Sequence, residues 1–381
     1  MQTSSKSTNR LCRLFQLKYP LIQAGMAGGT TTPALVAAVS EAGGLGTLGA
    51  GYMSPGAIRQ AIRDIRELTA RPFAVNLFIL PEPGQAPGET QQRARADSAW
   101  RLLAPLRERL NVREDGPPAV WSESYREQLA VLLDERVPVF SSTFDVPDAD
   151  TFAECTRLGI RTIGTATTVR EALRLEQAGV DAIVAQGAEA GGHRGTFPGE
   201  GEPPLTGTMA LVPQIAGSVQ VPVIAAGGIM DGRGIAAALA LGAEAVQLGT
   251  AFLTCTESGA HPAHKAAVLG SSDESTMLTR AVSGKHARGI RSRLLEELEP
   301  LAGQLPAYPA QNALTQEIRR TAARSGNPAY MAMWAGQASP LALETSAAEL
   351  VTRLMDETDQ VLSRLAAVHM KTDHSAGPCI T

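Results

Sequence analysis

The chain has 381 residues, enough to bury one large core and more than the roughly 250 residues of a bare eight-stranded α/β barrel. Its 34 Lys and Arg residues are scattered among 38 Asp and Glu residues, and the net charge of −4 provides no basic surface for nucleic acid or an anionic membrane. No apolar run approaches the roughly 18 residues that span a bilayer, so we expect a soluble cytoplasmic protein without a membrane or nucleic-acid partner.

The N-terminal leader is too polar over residues 1–19 for the core of a secretory signal. It is rich in Ser and Thr and contains Lys6, Arg10 and Arg13 but no acid. A flexible tail over residues 1–13 and an organellar transit peptide both remain open on this composition.

Eight short apolar runs then alternate with helical patterns, which is typical of a parallel sheet closed by crossover helices. Helices are predicted from capping residues and helical periodicity over residues 32–43, 54–69, 168–178 and 232–241. The predicted strands cover residues 21–25, 44–47, 73–78, 137–141, 161–165, 182–185, 222–226 and 245–248. The fold class is therefore α/β, a (β/α)8 TIM barrel over residues 14–254.

Two stretches interrupt this alternation. Residues 81–124 contain several prolines around a charged helix near 90–110, and we predict a surface insertion. Residues 255–340 contain a candidate hairpin (276–282 and 285–293) and a helix around 314–324, which indicates a smaller α/β domain capping the barrel mouth. Residues 341–367 are predicted to return to the barrel as its eighth helix, with a second flexible tail over residues 368–381.

Three of the predicted strands end in glycine-rich turns. Gly191 and Gly192 follow the sixth strand, Gly227 and Gly228 the seventh, and Gly249 the eighth. Glycine lets backbone N–H groups approach a ligand closely, and barrels commonly bind phosphate at the ends of strands seven and eight. The sequence therefore predicts a phosphate cradle at this rim.

These turns belong to a larger set of motifs that resembles nitronate monooxygenases, formerly called 2-nitropropane dioxygenases. The motifs lie at residues 23–29, 76, 186–195, 226–233 and 247–250, and residues 308–312 and 330–337 are similar to the class I branch. The resemblance runs from about Leu14 to Gln337. It implies an FMN-containing barrel that oxidises alkyl nitronates, such as propionate 3-nitronate, with O2 to carbonyl compounds and oxidised nitrogen. No nicotinamide is implied, and a homo-oligomer remains open.

The resemblance also implies the residues of the site. Asn76 and Gln186 provide both donors and acceptors, which suits the mixed edge of an isoalloxazine ring. The cofactor-binding residues would be Gly25, Met26, Ala27, Asn76, Gln186, Gly191, Gly192, Gly227, Gly228, Gln247, Leu248, Gly249 and Thr250.

His193 matches the family's active-site histidine. As a cation it would hold a nitronate, and as a neutral imidazole it would remove an α-proton from a nitroalkane. Tyr308, Tyr330 and Trp334 are candidate substrate-binding residues, with core packing as the alternative. Arg288 would neutralise the FMN phosphate or a substrate carboxylate, or lie in a solvated basic turn.

Cysteine and histidine spacing indicates no metal site. Cys12, Cys155, Cys255 and Cys379 match neither a zinc pattern nor a disulfide framework, and we expect reduced, mostly buried thiols. His261 and His264, three residues apart, are too little to predict zinc.

Two segments depart from the family pattern. They are residues 141–145 and residues 285–294, where Lys285, Ser292 and Leu294 differ, and both concern substrate specificity more than FMN binding. An NAD(P)H-dependent FMN reductase acting on a quinone or an enoyl thioester is the first alternative function. A flavin-binding accessory protein without turnover is the second.

Overall fold

The computed structural model describes residues 9–85, 88–199 and 202–372 of the chain. Its strands are β1 Leu21–Gln23, β2 Gly46–Gly49, β3 Phe73–Phe78, β4 Val139–Thr143, β5 Arg161–Ala166, β6 Ala182–Gln186, β7 Gly192–His193, β8 Val223–Ala226, β9 Ala245–Leu248, β10 Thr276–Thr279 and β11 Ala287–Ile290. The helices are α1 Arg10–Phe15, α2 Pro33–Glu41, α3 Pro55–Leu68, α4 Glu89–Leu102, α5 Ala104–Arg109, α6 Tyr125–Asp134, α7 Ala149–Leu158, α8 Val169–Ala178, α9 Thr208–Ala216, α10 Gly232–Ala240, α11 Thr250–Leu253, α12 Pro262–Leu269, α13 Arg293–Leu298, α14 Ala310–Arg324 and α15 Ala347–Thr372. None of these helices is long and apolar enough to cross a membrane.

Eight parallel strands form the central sheet, in the order β1-β9-β8-β6-β5-β4-β3-β2. A parallel bridge between Ile22 and Leu45 joins the two outer strands and closes the barrel. All six residues of β3 are buried, as expected for a strand covered on both faces. The predicted TIM barrel is confirmed.

Two strands begin two residues later than predicted. β2 covers Gly46–Gly49 instead of 44–47, because the chain is still turning out of α2 at Gly43, where φ is +103°. β4 covers Val139–Thr143 instead of 137–141, and the preceding Pro138 has no N–H to donate to the sheet. The shifts place Thr143 at the carboxyl end of its strand, at the mouth of the barrel.

The N-terminal segment is not a free tail over residues 9–13. Asn9 caps helix α1, and Leu11, Cys12 and Phe15 are buried. These side chains join the cluster that fills the barrel interior, together with Ile22 and Ile224. Apolar burial overrides the polar composition that suggested a tail, and the other predicted tail residues, 1–8, lie outside the described residues.

Residues 81–124 are also more than a surface insertion. Helices α4 and α5 bury Ala99, Leu103 and Leu106 in one apolar cluster with Leu314 and Ile318 of α14. Arg109 forms an ion pair with Glu297 of α13 at 2.8 Å. The insertion is therefore part of the cap that lies over the barrel mouth.

The predicted cap hairpin is present as the antiparallel pair β10 and β11. β7, from the loop after β6, adds to it as a third strand, with His193 opposite Ala287. The barrel loop that contains His193 is therefore hydrogen-bonded to the cap.

The final helix, α15, packs against α10 and α2, the position of the eighth barrel helix. Leu350, Val351 and Leu354 face the apolar layer between the barrel and its helices. α15 continues to Thr372, so residues 368–372 are helical and not part of a tail, and residues 373–381 lie outside the described residues.

Candidate active site

A cavity of about 590 Å³ opens between the carboxyl ends of the barrel strands and the cap. This is the end of the barrel at which such folds place their active sites. Residues from the ends of β3, β4, β5, β6, β8 and β9 line it, together with residues of α14 and residues 331–338 of the cap. We take this cavity as the candidate active site.

Almost all the cofactor-binding residues implied by the resemblance meet there. The cavity is lined by Gly25, Met26, Ala27, Asn76, Gln186, Gly191, Gly192, Gly227, Gly228, Gln247, Gly249 and Thr250. Leu248 is the exception, because alternate residues of a strand face opposite sides and its side chain packs in the layer beneath the barrel helices, 1% exposed. The side chain of Leu248 therefore faces away from the cavity, and a contact between its backbone and the cofactor stays a prediction.

Two glycines are required by the shape of this rim. Gly228 has a φ of +72°, a conformation that other residues rarely adopt. A Cβ on Gly191 would lie 2.5 Å from the backbone of Ala335 and Gly336. The turns after β6 and β8 therefore approach the cap and the cavity more closely than a side chain permits.

Backbone donors are available on the same side. In the described part of the chain, no loop or side-chain hydrogen bond uses the N–H groups of Gly228, Gly249 or Thr250. Peptide N–H groups are strong donors that are normally paired when buried. These three are available to an anionic ligand in the cavity.

The amides of Asn76 and Gln186 have different roles. Gln186 uses both ends of its amide within the protein: Nε2 donates to the carbonyl of His193 at 3.1 Å, and Oε1 accepts from the N–H of Gly195 at 2.7 Å. Asn76 donates through Nδ2 to Ser141 and Thr143, and its Oδ1 has no protein partner among the described residues. Asn76 is free to accept a hydrogen bond from a ligand, whereas Gln186 chiefly positions the loop of His193.

That loop is held firmly by charged side chains. Arg194 is buried and donates to the carbonyls of Gln186 at 2.8 Å and Pro204 at 3.0 Å. Arg288 is buried too and donates to the carbonyl of Ala188 at 3.2 Å. Arg288 is therefore neither in a solvated turn nor on the cavity wall, and it fixes the loop after β6 to the cap.

His193 lies at the centre of an aromatic wall. Its ring centroid is 5.6 Å from those of Tyr308 and Trp334 and 6.1 Å from that of Phe144. Burial, and after it the positive charges of Lys285 and Arg319, lower the pKa of His193 to about 3. The imidazole is therefore neutral at physiological pH, which favours the proton acceptor over the cation among the two roles considered for it.

The three candidate substrate-binding aromatic residues lie in different parts of the structure. Trp334 lines the cavity. Tyr308 packs behind His193 against Phe144, at a centroid distance of 5.5 Å, and is not on the cavity wall. Tyr330 is 4% exposed, and its hydroxyl accepts from Arg109 at 2.6 Å and bonds to Glu297 at 3.2 Å, so it holds the insertion to the cap. The burial and contacts of Tyr330 favour the core-packing alternative, and a substrate contact there stays a prediction.

The two segments that depart from the family pattern meet beside His193. Lys285 lies 4.6 Å above the ring of Phe144 and donates to the carbonyl of Thr196 at 2.7 Å. Burial lowers the pKa of Lys285 to about 8. Phe144 has a φ of +87°, which is unusual for a bulky residue and turns its ring toward Phe78. Phe144 lines the cavity and Lys285 supports it from behind, whereas Ser292 and Leu294 are buried in the cap and are not on the cavity wall.

Sequence reasoning missed several residues of the cavity. Tyr52 follows β2, and its position after a strand end was the one available signal. Arg319 and Arg320 reach the cavity from α14, where the sequence shows only an ordinary charged helix. Among the described residues that line the cavity there is no Asp or Glu, and Arg319 has no ion pair. The formal charge of the lining is therefore positive.

No group of three potential ligands suited to a metal ion exists within the described ranges. His261 caps α12 by accepting from the N–H of Ala263, and His264 bonds to the carbonyl of Trp334 at 3.0 Å. Cys155 and Cys255 are free and buried, as expected, Cys12 is buried, and Cys379 lies outside the described residues.

Comparison with known proteins gives a consistent result. The family model described as nitronate monooxygenase matches residues 8–357. A probable nitronate monooxygenase of Staphylococcus saprophyticus is 42% identical over 94% of this chain and 100% of its own length. A relative of the same description from Staphylococcus aureus is 43% identical over 93% of this chain and 98% of its own.

Solved structures agree. A nitroalkane oxidase from Streptomyces ansochromogenes superposes with a TM-score of 0.84 and 42% identity, over 93% of this chain and 99% of its own. FabK from Thermotoga maritima superposes with a TM-score of 0.74 and 30% identity, over 95% and 100%. With this cavity, its glycine rim and these relatives, the chain is an oxidoreductase that belongs to the nitronate monooxygenase family.

Proposed function

We propose that this enzyme uses FMN to oxidise alkyl nitronates with O2 to carbonyl compounds and oxidised nitrogen, without a nicotinamide cofactor. The observation that carries the proposal is the pairing, in one cavity, of unpaired backbone N–H groups on one wall with a neutral histidine on another. The family and the named relatives support the same chemistry.

The residues present fit FMN. The free N–H groups of Gly228, Gly249 and Thr250 would hold its phosphate, because converging peptide donors suit an anion. Asn76 lies within β3, which is opposite β8 in the closed strand order, and lines the cavity, so it would meet the other end of the cofactor. When bound, FMN would supply the electron transfer from substrate to O2.

His193 would act on the substrate. Its neutral ring accepts the α-proton of a nitroalkane: the C–H bond breaks, an N–H bond forms, and the electron pair moves onto the nitro group to give the nitronate. Trp334 and Phe144 beside it exclude water from this position. A substrate supplied as the nitronate needs no such proton transfer.

The charge of the lining supports an anionic substrate. Arg319 and Arg320 face a cavity that has no lining carboxylate, and a guanidinium group attracts and donates to an anion. Nε and Nη2 of Arg319 donate to Thr315 and Asn312, which leaves Nη1 for a substrate carboxylate. The charge of Arg319 acts on Tyr52, which follows β2, and on His193. Propionate 3-nitronate, with a carboxylate at one end and the nitronate at the other, fits this distribution of charge.

An anaerobic titration of the purified protein tests the proposal. We expect propionate 3-nitronate alone to bleach the flavin absorbance, and air to restore it. Bleaching by NADPH and not by nitronate would instead establish a reductase acting on a quinone or enoyl thioester. A protein that holds FMN and responds to neither would be an accessory flavin-binding protein.

A further inference from the structure

We propose that Ser283 is a positioning residue that holds His193 in the tautomer protonated on Nε2 and leaves Nδ1 toward the cavity as the proton acceptor. The tautomer is a property of the chain itself. Its consequence for turnover rests on the proposed function.

The hydrogen-bond pattern around Ser283 carries the inference. Nε2 of His193 lies 2.9 Å from Oγ of Ser283. The same hydroxyl donates to the carbonyl of Lys285 at 3.0 Å. A serine hydroxyl has one hydrogen and a carbonyl can only accept, so the hydroxyl that donates to Lys285 must accept from His193.

The opposite tautomer would break this pattern. With the proton on Nδ1, Nε2 and the carbonyl of Lys285 would compete for the single hydrogen of Ser283, which is 1% exposed. One buried acceptor would then lack a partner, and such unpaired groups are costly. The tautomer protonated on Nε2 satisfies both bonds.

Nδ1 is the free nitrogen. It makes no hydrogen bond within the described residues, and His193 lines the cavity. The charged and titratable groups around the ring are Lys285 from the cap hairpin, Arg319 from α14 and the hydroxyl of Tyr308. No carboxylate bonds to the ring in the described part of the chain, so orientation depends on Ser283 rather than on an acidic partner.

The two forms of the substrate should respond differently to Ser283. A neutral nitroalkane must lose its α-proton to Nδ1 before oxidation, whereas a nitronate has already lost it. Removing the hydroxyl allows the proton to occupy Nδ1 and the ring to turn. Turnover of the nitroalkane should fall, and turnover of the matching nitronate should not.

The direct test is ¹⁵N NMR of histidine-labelled protein at pH 7, with the His193 signal assigned by its loss in His193→Gln. We expect one protonated nitrogen, Nε2, and one unprotonated nitrogen, Nδ1. A proton on Nδ1, or an equal mixture, would overturn the proposal whatever the enzyme oxidises. This readout is independent of activity, so it separates failure of the tautomer from failure of the proposed function.

A kinetic comparison uses nitroethane and ethylnitronate as the substrate pair. In Ser283→Ala we expect kcat/KM for nitroethane to fall about tenfold or more, with ethylnitronate changed less than about threefold, and Ser283→Thr to restore part of the loss. Ser292→Ala is the matched control, because Ser292 is a buried cap serine that bonds to the carbonyl of Met331 and not to histidine. Equal loss for both substrates, with an unchanged tautomer, would make Ser283 merely structural.

Discussion

One wall of the cavity is formed by backbone and the opposite wall by side chains. The wall at the ends of β6, β8 and β9, which we call the backbone wall, consists of glycine turns and free backbone N–H groups, contributed by short segments directly after strands. The wall beneath the cap, which we call the cap wall, consists of side chains: His193 comes from the barrel loop after β6, and Arg319 and Trp334 come from the cap, more than a hundred residues later. In the proposed function, the backbone wall holds the FMN that the family shares, and the cap wall selects the substrate.

The cap wall also depends on support that lies outside the cavity. Helix α14, which contains Arg319, packs on α4 of the insertion, and Tyr330 joins Arg109 to Glu297 nearby. The backbone wall is built from barrel turns and contacts the cap at Ala335 and Gly336 rather than at the insertion. Changes in the insertion should therefore alter substrate selection before they alter cofactor binding.

The largest expected effect is that of replacing His193, which should affect turnover and leave cofactor binding intact. His193→Asn removes the proton acceptor, and we expect turnover of a nitroalkane to fall by about 10²- to 10⁴-fold while the protein remains yellow. Steady-state kinetics and the flavin spectrum measure the two effects. A colourless variant would contradict the separation of the two walls, because His193 would then be needed to hold FMN, as the backbone wall is.

The backbone wall is tested at Gly191. A Cβ there would meet the backbone of Ala335 and Gly336 at 2.5 Å, so Gly191→Ala must shift the loop or the cap. We expect FMN affinity to fall about tenfold or more, because such overpacking costs about 1–3 kcal/mol. Fluorescence titration of the apoprotein with FMN measures it.

Gly56→Ala is the control for that change, since an added Cβ at Gly56 in α3 meets no atom within 4 Å. It should bind FMN as the unaltered protein does. Unchanged FMN affinity in Gly191→Ala would show that this turn does not shape the cofactor wall.

A smaller effect is expected at Arg319, on the cap wall. Arg319→Met removes the charge and keeps most of the volume, and we expect KM for propionate 3-nitronate to rise about tenfold with KM for ethylnitronate nearly unchanged. Arg324→Met on the same helix is the control, because Arg324 is exposed and pairs with Glu317. Equal changes for both substrates would remove Arg319 from substrate selection.

The smallest effect concerns pH and stability. Burial lowers the pKa of His193 to about 3 and that of His264 to about 4, below the ordinary 6.5. The unfolded chain therefore binds protons between pH 6.5 and 4 that the folded chain does not, and the free energy of unfolding should fall as the pH falls through this window, by at most about 1.4 kcal/mol per pH unit for each histidine. Urea unfolding at pH 6.5, 5.5 and 4.5 measures the slope, which should be smaller in His193→Asn. An equal slope would mean that His193 is protonated in the folded state.

The sequence by itself determined the barrel and the residues that rest on local patterns. Buried strands, capped helices and the glycines after β6, β8 and β9 are dictated by neighbouring residues, and so is the place of His193 beside Gly192 at a strand end. The predicted starts of β2 and β4 were two residues too early, because turn glycines and Pro138 delay the first strand hydrogen bond.

Only the tertiary structure decided what each side chain contacts across the cap. The sequence patterns around four of these residues also fit solvent-facing helices and turns; the four are Arg319, Ser283, Arg288 and Tyr330. Helix α1 lies in a leader of polar composition. Their roles arise from segments far apart in sequence that pack together, so burial, hydrogen bonding and the lowered pKa values appear only once the chain is folded. Local propensity and periodicity carry no information about such distant partners.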